Sequence, residues 1–489
     1  MGAAARAFLM VWDGMRPDLI SAELTPNLWK LTQEGVHCRD SHAVFPTVTR
    51  INSASLATGA QPANHGILGN SLYVRDVDAR KAINMGDHRA LEAVAALRGG
   101  RAVERDALAD LIGAAGGRTV VVSTGSPGSA WLCHPRMREA DRVAAGDTLL
   151  HPVVPSPADA LEPVIAKLGP VPAATIPNRE QNAWFTRAIV QYVIPELAPT
   201  LLVFWHTDPD KTQHHRGFGS PDGMSSIRDA DAHLGQVLAA LDAAGRLAET
   251  VVAVASDHGY VTISPSLSAD GSDGPFLGAG LGDALAAGEI VLAANGGSLY
   301  ASVPSGDRGL IERTVAALAA WEHSGVILTK PIDGAPLPGT LSLDVVGIAG
   351  TYAPDILCAL AWDDTVNEYG LAGRSAGLDT GLAASHGGIS GWEINNTLVL
   401  SGAGVKAGLY HDVPAGNIDL APTLAALLGV GQLPQADGRV LTEALLGGPD
   451  PADVAVSRET LSADLAGKQR SIRVSTVGTT RYLDSGWTA

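Results

Sequence analysis

An α/β fold with a mostly parallel central sheet, flanked by helices on both faces, is predicted by three features of this chain. Short, almost wholly apolar runs recur along it. Segments of helical length and periodicity lie between them. Aspartates follow the ends of three of the runs, and open α/β sheets gather ligands at the carboxyl ends of their strands.

The runs Ala7–Trp12, Thr119–Val122, Thr200–Trp205, Thr250–Ala255 and Thr397–Leu400 read as buried strands. Helices are expected over Pro26–Gln33, Ser53–Thr58, Asn182–Ile194, Gly223–Ala244 and Ile418–Leu428, the last capped by Asn417 or Asp419. Such alternation implies parallel strands covered on both faces. Asp13 ends the first strand, Asp210 follows the run through Phe204, and Asp257 follows the run through Ala255.

The pattern breaks over residues 263–380. That segment opens on Ser264-Pro265-Ser266-Leu267-Ser268 and carries its own candidate strands at Glu289–Leu292 and Ser298–Val303 and a helix at Arg308–Trp321. It is expected to be a smaller α+β subdomain, inserted in a core formed by residues 1–262 and 381–489 and bordering the active site. Residues 70–118 form a second, smaller excursion.

Composition narrows the function. Of 489 residues, 46% are hydrophobic and 17% charged, which suits a well-packed globular protein. The formal charge of −17 argues against a nucleic-acid polymer or an anionic membrane surface as partner. Cys38, Cys133 and Cys358 are too far apart for a thiolate metal site, and free buried thiols are expected. There is no apolar run of about 18 residues and no visible signal peptide, so a cytoplasmic location is expected. Nothing in the sequence fixes the oligomeric state.

Three distant stretches concentrate the chemistry. The first is Val44-Phe45-Pro46-Thr47-Val48-Thr49-Arg50, with Asp13 before it and Asn70 after it. The second runs from Thr207 to His214 and places Asp210 and His214 four positions apart, on one side of a helical turn. The third is Ser256-Asp257-His258-Gly259, with a late partner in Ser385-His386-Gly387. Aspartate and neutral histidine are good ligands for zinc and similar ions. Taken singly, each motif has a plain structural reading: Asp13-Gly14 as a turn, Thr49 as a helix cap, Asp210 and His214 as a solvated helix face.

In order and spacing, however, the motifs from Asp13 to His386 resemble the alkaline phosphatase superfamily, and most closely its nucleotide pyrophosphatase/phosphodiesterase branch. The segments that carry the resemblance are Asp13-Gly14-Met15-Arg16-Pro17-Asp18, Thr25-Pro26-Asn27-Leu28, Phe45-Pro46-Thr47-Val48-Thr49, Thr58-Gly59 and His65-Gly66-Ile67-Leu68-Gly69-Asn70. Asp208-Pro209-Asp210 with His214, Ser256-Asp257-His258-Gly259 and Ser385-His386-Gly387 complete them.

The resemblance implies an alkaline phosphatase-like fold and two divalent ions, most often zinc; manganese or iron would suit the same ligands. It implies that Asp13, Asp257 and His258 hold one ion with Thr49 as a further ligand, and that Asp210, His214 and His386 hold the other. Thr49 would be the nucleophile, and Asn70 would donate to a phosphoryl oxygen. The activity implied is hydrolysis of a small anionic phosphorus ester by two in-line displacements through a phosphothreonine. Two metals about 3.5–4 Å apart suit that chemistry.

The chain departs from nucleotide-cleaving relatives after the nucleophile, where they commonly carry an aromatic residue and this chain has Arg50. Arg50 is either a structural ion pair or a clamp for a second anionic group on the substrate. The clamp keeps open a phosphomonoesterase, or a carbon–phosphorus hydrolase like phosphonoacetate hydrolase. Tyr73 and Trp205 are candidate stacking surfaces, Asp208 a candidate supporting residue, and Asn295-Gly296-Gly297 a turn that is a candidate border of the pocket. A catalytically silent phospho-ligand-binding module is the non-enzymatic alternative.

Overall fold

The computed structural model describes residues 2–378 and 381–489. The expected strands are present as Arg6–Trp12, Thr119–Ser123, Leu201–His206, Thr250–Ala255 and Leu398–Gly402. Among the described residues they belong to one eight-stranded sheet. Its order is Leu409–His411, Val36–Cys38, Leu398–Gly402, Thr250–Ala255, Arg6–Trp12, Leu201–His206, Thr119–Ser123 and Thr148–Leu150.

From Thr250–Ala255 to Thr148–Leu150 every neighbouring pair is parallel. Leu398–Gly402 runs antiparallel to both its neighbours, so the sheet is mixed toward that side. The short strands at the two edges carry too few apolar residues to stand out in the sequence.

Alternation of side chains across the sheet builds two layers. Leu9, Val11, Val203, Trp205 and Ala253 pack on one face with Leu56, Leu108 and Leu424 of the covering helices. Phe8, Met10, Trp12, Phe204 and Val254 pack on the other with Leu28, Phe185 and Leu234. Burying each such large side chain contributes roughly 1.5–3 kcal/mol, so the strands that carry the site residues are well anchored.

Three helices differ from expectation. The one expected at Ser53–Thr58 begins at Thr49, because its first turn is polar and an apolar periodicity begins too late to mark it. The one expected over Asn182–Ile194 is α-helical over Arg179–Ala188 and widens to π-helix over Ile189–Leu197. Pro195 supplies no N–H there and disfavours the regular α pattern. In the helix Asn417–Leu428, Gly416 is the cap and the Asp419 carboxylate accepts its N–H at 2.8 Å.

Residues 291–360 contribute a five-stranded sheet, ordered Val291–Asn295, Ser298–Ser302, Ile356–Leu360, Ser324–Thr329 and Leu341–Ser342. The helix Arg308–Ala320 packs against it. The strand expected at Glu289–Leu292 therefore lies slightly later and ends on Asn295. The expected boundary at residue 380 lies outside the described residues. Three long antiparallel strands, Val456–Leu465, Lys468–Val477 and Thr480–Thr488, close the chain. One continuous cluster joins Phe45, Ile67 and Leu68 to Tyr300 and Val326, and to Ile472 and Val474 of the C-terminal strands.

Candidate active site

The carboxyl ends of the central parallel strands deliver the acidic residues to one place. The backbone N–H of Asp13 donates to the His206 carbonyl at 3.1 Å, and that of Asp210 donates to the Asp13 carbonyl at 2.9 Å. Gly14 turns the chain away at φ 71°. A Cβ there would stand 3.0 Å from the Tyr260 ring and 3.1 Å from the Asp210 Cβ, so the turn has little room for a side chain. Asp210 begins the helix Asp210–Arg216, which brings His214 round one turn later. Asp257 and His258 follow the strand Thr250–Ala255, and His386 follows the short strand Ala384–Ser385.

These side chains face one another. His214 Nε2 is 3.1 Å and His386 Nε2 is 3.3 Å from Asp210 Oδ1. His258 Nε2 is 3.2 Å from Asp257 Oδ2 and 3.6 Å from Asp13 Oδ1. Ligand atoms of Asp13, Asp257 and His258 lie within 4.8 Å of one another, as do those of Asp210, His258 and His386. His258 thus belongs by distance to both groups, and its ring stacks on His386 at 3.5 Å. His215, the neighbour of His214, is exposed.

The polar surroundings fit a pair of cations. His214 Nδ1 is 2.8 Å from the Ala384 carbonyl, His258 Nδ1 2.9 Å from that of Gly259, and His386 Nδ1 2.7 Å from that of Thr47. A neutral ring whose Nδ1–H is given to a carbonyl keeps only a lone pair at Nε2. Each aspartate also leaves one buried oxygen without a hydrogen-bond partner: Asp13 Oδ1, Asp210 Oδ1 and Asp257 Oδ2. Lone pairs of nitrogen and carboxylate therefore converge, an arrangement that a cation between them makes favourable.

Burial and neighbouring charge shift the ionisation of these groups. Asp13 is held well above its ordinary carboxyl value, first by burial and then by the charges of Asp257 and Asp210. His258 is raised by Asp257 despite its burial, whereas His386 is lowered by burial and by the neighbouring His258.

Thr49 lies at the first position of the helix Thr49–Thr58, 5% exposed, with Oγ1 3.5 Å from His258 Nε2. First-turn N–H groups lack helical acceptors, which makes a helix start favourable for an anion. Asn70 Oδ1 accepts the Arg50 N–H at 3.0 Å, leaving its NH2 as the free end of the carboxamide. The Arg50 side chain makes no ion pair among the described residues, and its Nε is buried without a partner. Burial lowers its pKa, while Asp13, Asp210 and Asp257 are close enough to pull it up. Bare backbone makes room for it, since a Cβ on Gly86 would run into Arg50 Nη2. Tyr73 donates to the Ala79 carbonyl at 3.2 Å, a contact within its own loop.

Several supporting residues were not legible from spacing. Trp205 is wholly buried, which removes it as a stacking surface; its Nε1–H holds Asp13 Oδ2 at 3.0 Å. Tyr260 donates from its hydroxyl to the Asp210 carbonyl at 3.1 Å and sets its ring beside His214, His258 and His386. Asn417 donates to the Asp257 carbonyl at 2.8 Å. Asp208 accepts from the Asn178 N–H at 3.0 Å, Asn182 Nδ2 at 3.0 Å and Thr212 Oγ1 at 2.7 Å, which fastens the loop before Asp210. Of these, Asp208 is the one that the sequence had marked as a candidate supporting residue.

The fold and this cluster define an alkaline phosphatase-like α/β protein with two groups of acidic and histidine side chains, sharing His258, close enough together to hold metal ions. Its sequence matches the type I phosphodiesterase/nucleotide pyrophosphatase family over residues 7–317, and the chain belongs to that family.

Local similarity is found to a bis(5'-adenosyl)-triphosphatase of Xenopus laevis, 35% identical over 82 residues, or 17% of this chain and 18% of the frog protein. Venom phosphodiesterase 2 of Crotalus adamanteus is 39% identical over 67 residues, 13% of this chain and 8% of the snake protein. The chain thus spans only a small part of these relatives. In structure it is similar to murine ectonucleotide pyrophosphatase/phosphodiesterase 5, solved as an inactive variant in complex with AMP. The TM-score is 0.58 at 16% identity, covering 88% of this chain and 96% of the murine one. The human counterpart gives 0.59 at 17% identity over the same shares. No helix among the described residues is long and apolar enough to cross a membrane.

Proposed function

We propose that this chain is a metal-dependent hydrolase of phosphoric esters that uses Thr49 as its nucleophile, with phosphodiesters or nucleotide pyrophosphates as substrates. The observation that carries the proposal is the convergence of three buried carboxylate oxygens and three tethered imidazoles, oxygen facing nitrogen at 3.1 to 3.6 Å, beside a threonine at a helix start. Family membership and the triphosphatase and phosphodiesterase activities of the similar frog and snake proteins support the same reaction class.

Asp13, Asp257, His258 and Thr49 would hold one ion, and Asp210, His214 and His386 the other, zinc being the ion we expect. When bound, such ions neutralise charge, lower the pKa of the threonine hydroxyl and stabilise a departing oxygen. Thr49 Oγ1 gives its proton to solvent and forms a bond to phosphorus as the bond to the leaving oxygen breaks, and the leaving group departs with that electron pair and is protonated by solvent. Asn70 donates its NH2 to a non-bridging oxygen, and the first turn of the helix faces the same anion. Attack by water releases the phosphothreonine as a monoester or phosphate and returns the hydroxyl to Thr49.

The test is the rate on zinc-loaded protein of an aryl phosphodiester against the matching monoester. A strong diester preference is expected. Thr49→Ala should abolish turnover while two metals per chain remain bound; near-normal rates in that variant would overturn the assignment of the nucleophile.

Arg50 favours a narrower second reading, in which the substrate carries another anionic group. A buried guanidinium nitrogen without a protein partner, beside a phosphoryl site, is suited to a carboxylate or a second phosphate oxygen. Arg50→Ala should then raise KM for an anion-bearing ester about tenfold or more, while a neutral aryl diester changes little. A shift to monoesters or to phosphonoacetate in the substrate comparison would give that reading precedence. Failure of every phosphorus substrate would favour the silent binding module.

A further inference from the structure

The turn Asn295-Gly296-Gly297-Ser298 joins two strands of the five-stranded sheet, yet its hydrogen bonds leave that sheet for the candidate active site. The Asn295 side chain is 1% exposed. Its Oδ1 accepts the Ser71 N–H at 2.9 Å and its Nδ2 donates to the Ser71 carbonyl at 3.1 Å, so one carboxamide grips the residue after Asn70 by both backbone groups. On the other side of the turn, the Gly297 N–H donates to the His386 carbonyl at 2.9 Å, and Ser298 Oγ donates to the Gly387 carbonyl at 2.6 Å.

Both ends lead to the nucleophile. Asn70 holds the Arg50 N–H, and His386 Nδ1 donates to the Thr47 carbonyl. Gly387 N–H donates to Thr47 Oγ1 at 3.0 Å. The path from Arg50 through Asn70, Ser71, Asn295, Gly297 and His386 to Thr47 therefore closes around Thr49.

We propose that Asn295 is a positioning residue for phosphoryl binding: by gripping Ser71 it aims the free NH2 of Asn70, and it does so from the same turn that holds His386. The proposal rests on the role given above to Asn70. It explains why a buried amide sits at the tip of a hairpin, and why the two residues after it are glycines. A Cβ on Gly296 would run into the His386 carbonyl, and one on Gly387 into the Asn295 carbonyl.

The experiment measures inorganic phosphate affinity by calorimetry, and diester turnover, on zinc-loaded wild type, Asn70→Ala, Asn295→Ala and the double variant. Asn295→Ala should weaken phosphate binding and kcat/KM about tenfold, as Asn70→Ala does, with two metals retained. The double variant should be no worse than Asn70→Ala alone, because residues acting through one another are not additive.

Losses that multiply in the double variant, or phosphate affinity in Asn295→Ala equal to wild type, would overturn the positioning role. Asn295→Asp keeps the acceptor for Ser71 N–H and loses the donor; it should lie between wild type and Asn295→Ala, and it serves if the alanine variant fails to fold. If Asn70→Ala itself leaves phosphate binding and turnover intact, the reading of the site fails; if it weakens both while Asn295→Ala weakens neither, only the positioning fails.

Discussion

Asp13 is divided between two tasks. One oxygen is spent on the Trp205 indole at 3.0 Å, and the other is buried without a hydrogen-bond partner beside His258. The first bond fixes where the second oxygen points. Trp205→Phe should preserve the packing of the sheet but release that grip, leaving a buried acceptor unsatisfied at a cost of about 1–3 kcal/mol. Because partners behind a metal ligand typically alter affinity about 10–100-fold, a competitive zinc titration should show weaker binding of one ion. Unchanged affinity for both would remove Trp205 from the site. The aspartates and histidines could be read from the sequence because their spacing matched a family. Trp205 could not, since an indole in a buried apolar strand looks the same whether it packs or donates.

Among the elements, legibility followed the environment of each strand. Parallel strands buried on both faces, such as Thr250–Ala255, read as unbroken apolar runs. Val456–Leu465 exposes most of its residues and alternates weakly, so nothing in its composition announced a ten-residue strand. The helix start at Thr49 was hidden for a related reason: of its first turn, Thr49-Arg50-Ile51-Asn52, only Ile51 is apolar. The 295–298 hairpin gives an element-scale prediction. Gly296 sits at φ 62°, where its missing Cβ leaves room for the His386 carbonyl. Gly296→Ala should combine backbone strain of about 1–3 kcal/mol with displacement of the 386–388 loop, seen as a lower urea midpoint and weaker binding of one metal. A full complement of tightly held metal in that variant would show that the turn does not constrain His386.

At the scale of the molecule, the C-terminal sheet is tied to the core through His42. Its Nδ1 donates to the Ala415 carbonyl at 2.8 Å and its Nε2 faces Asp484 at 3.2 Å, with Asp40 at 3.5 Å. Burial opposes the charge on His42, but the bond to Asp484 and the charges of Asp40 and Asp484 outweigh it and raise the pKa above 6.5. Asp484 is correspondingly lowered, with His42 outweighing its own burial. A raised histidine pKa contributes stability that is fully present below the unfolded value and lost as pH rises through the folded one. A lowered carboxyl contributes above its unfolded value and loses that contribution as pH falls. The pair should therefore stabilise the C-terminal sheet most between the ordinary carboxylate range and about pH 6.5. His42→Gln should remove on the order of 1–3 kcal/mol there and flatten the dependence of Tm on pH through neutrality; an unaltered profile would show that the pair contributes nothing.

The three imidazole tethers have a consequence for divergence. Their acceptors are main-chain carbonyls at Thr47, Gly259 and Ala384, and a carbonyl is present whichever amino acid occupies the position. Ring orientation is thus encoded in the course of the backbone, and substitutions around the site can accumulate without severing the bonds that aim the imidazoles. A chain built this way can exchange many residues near the site without losing those bonds, and 16–17% identity across a shared fold shows how far exchange has gone between this chain and the murine and human structures.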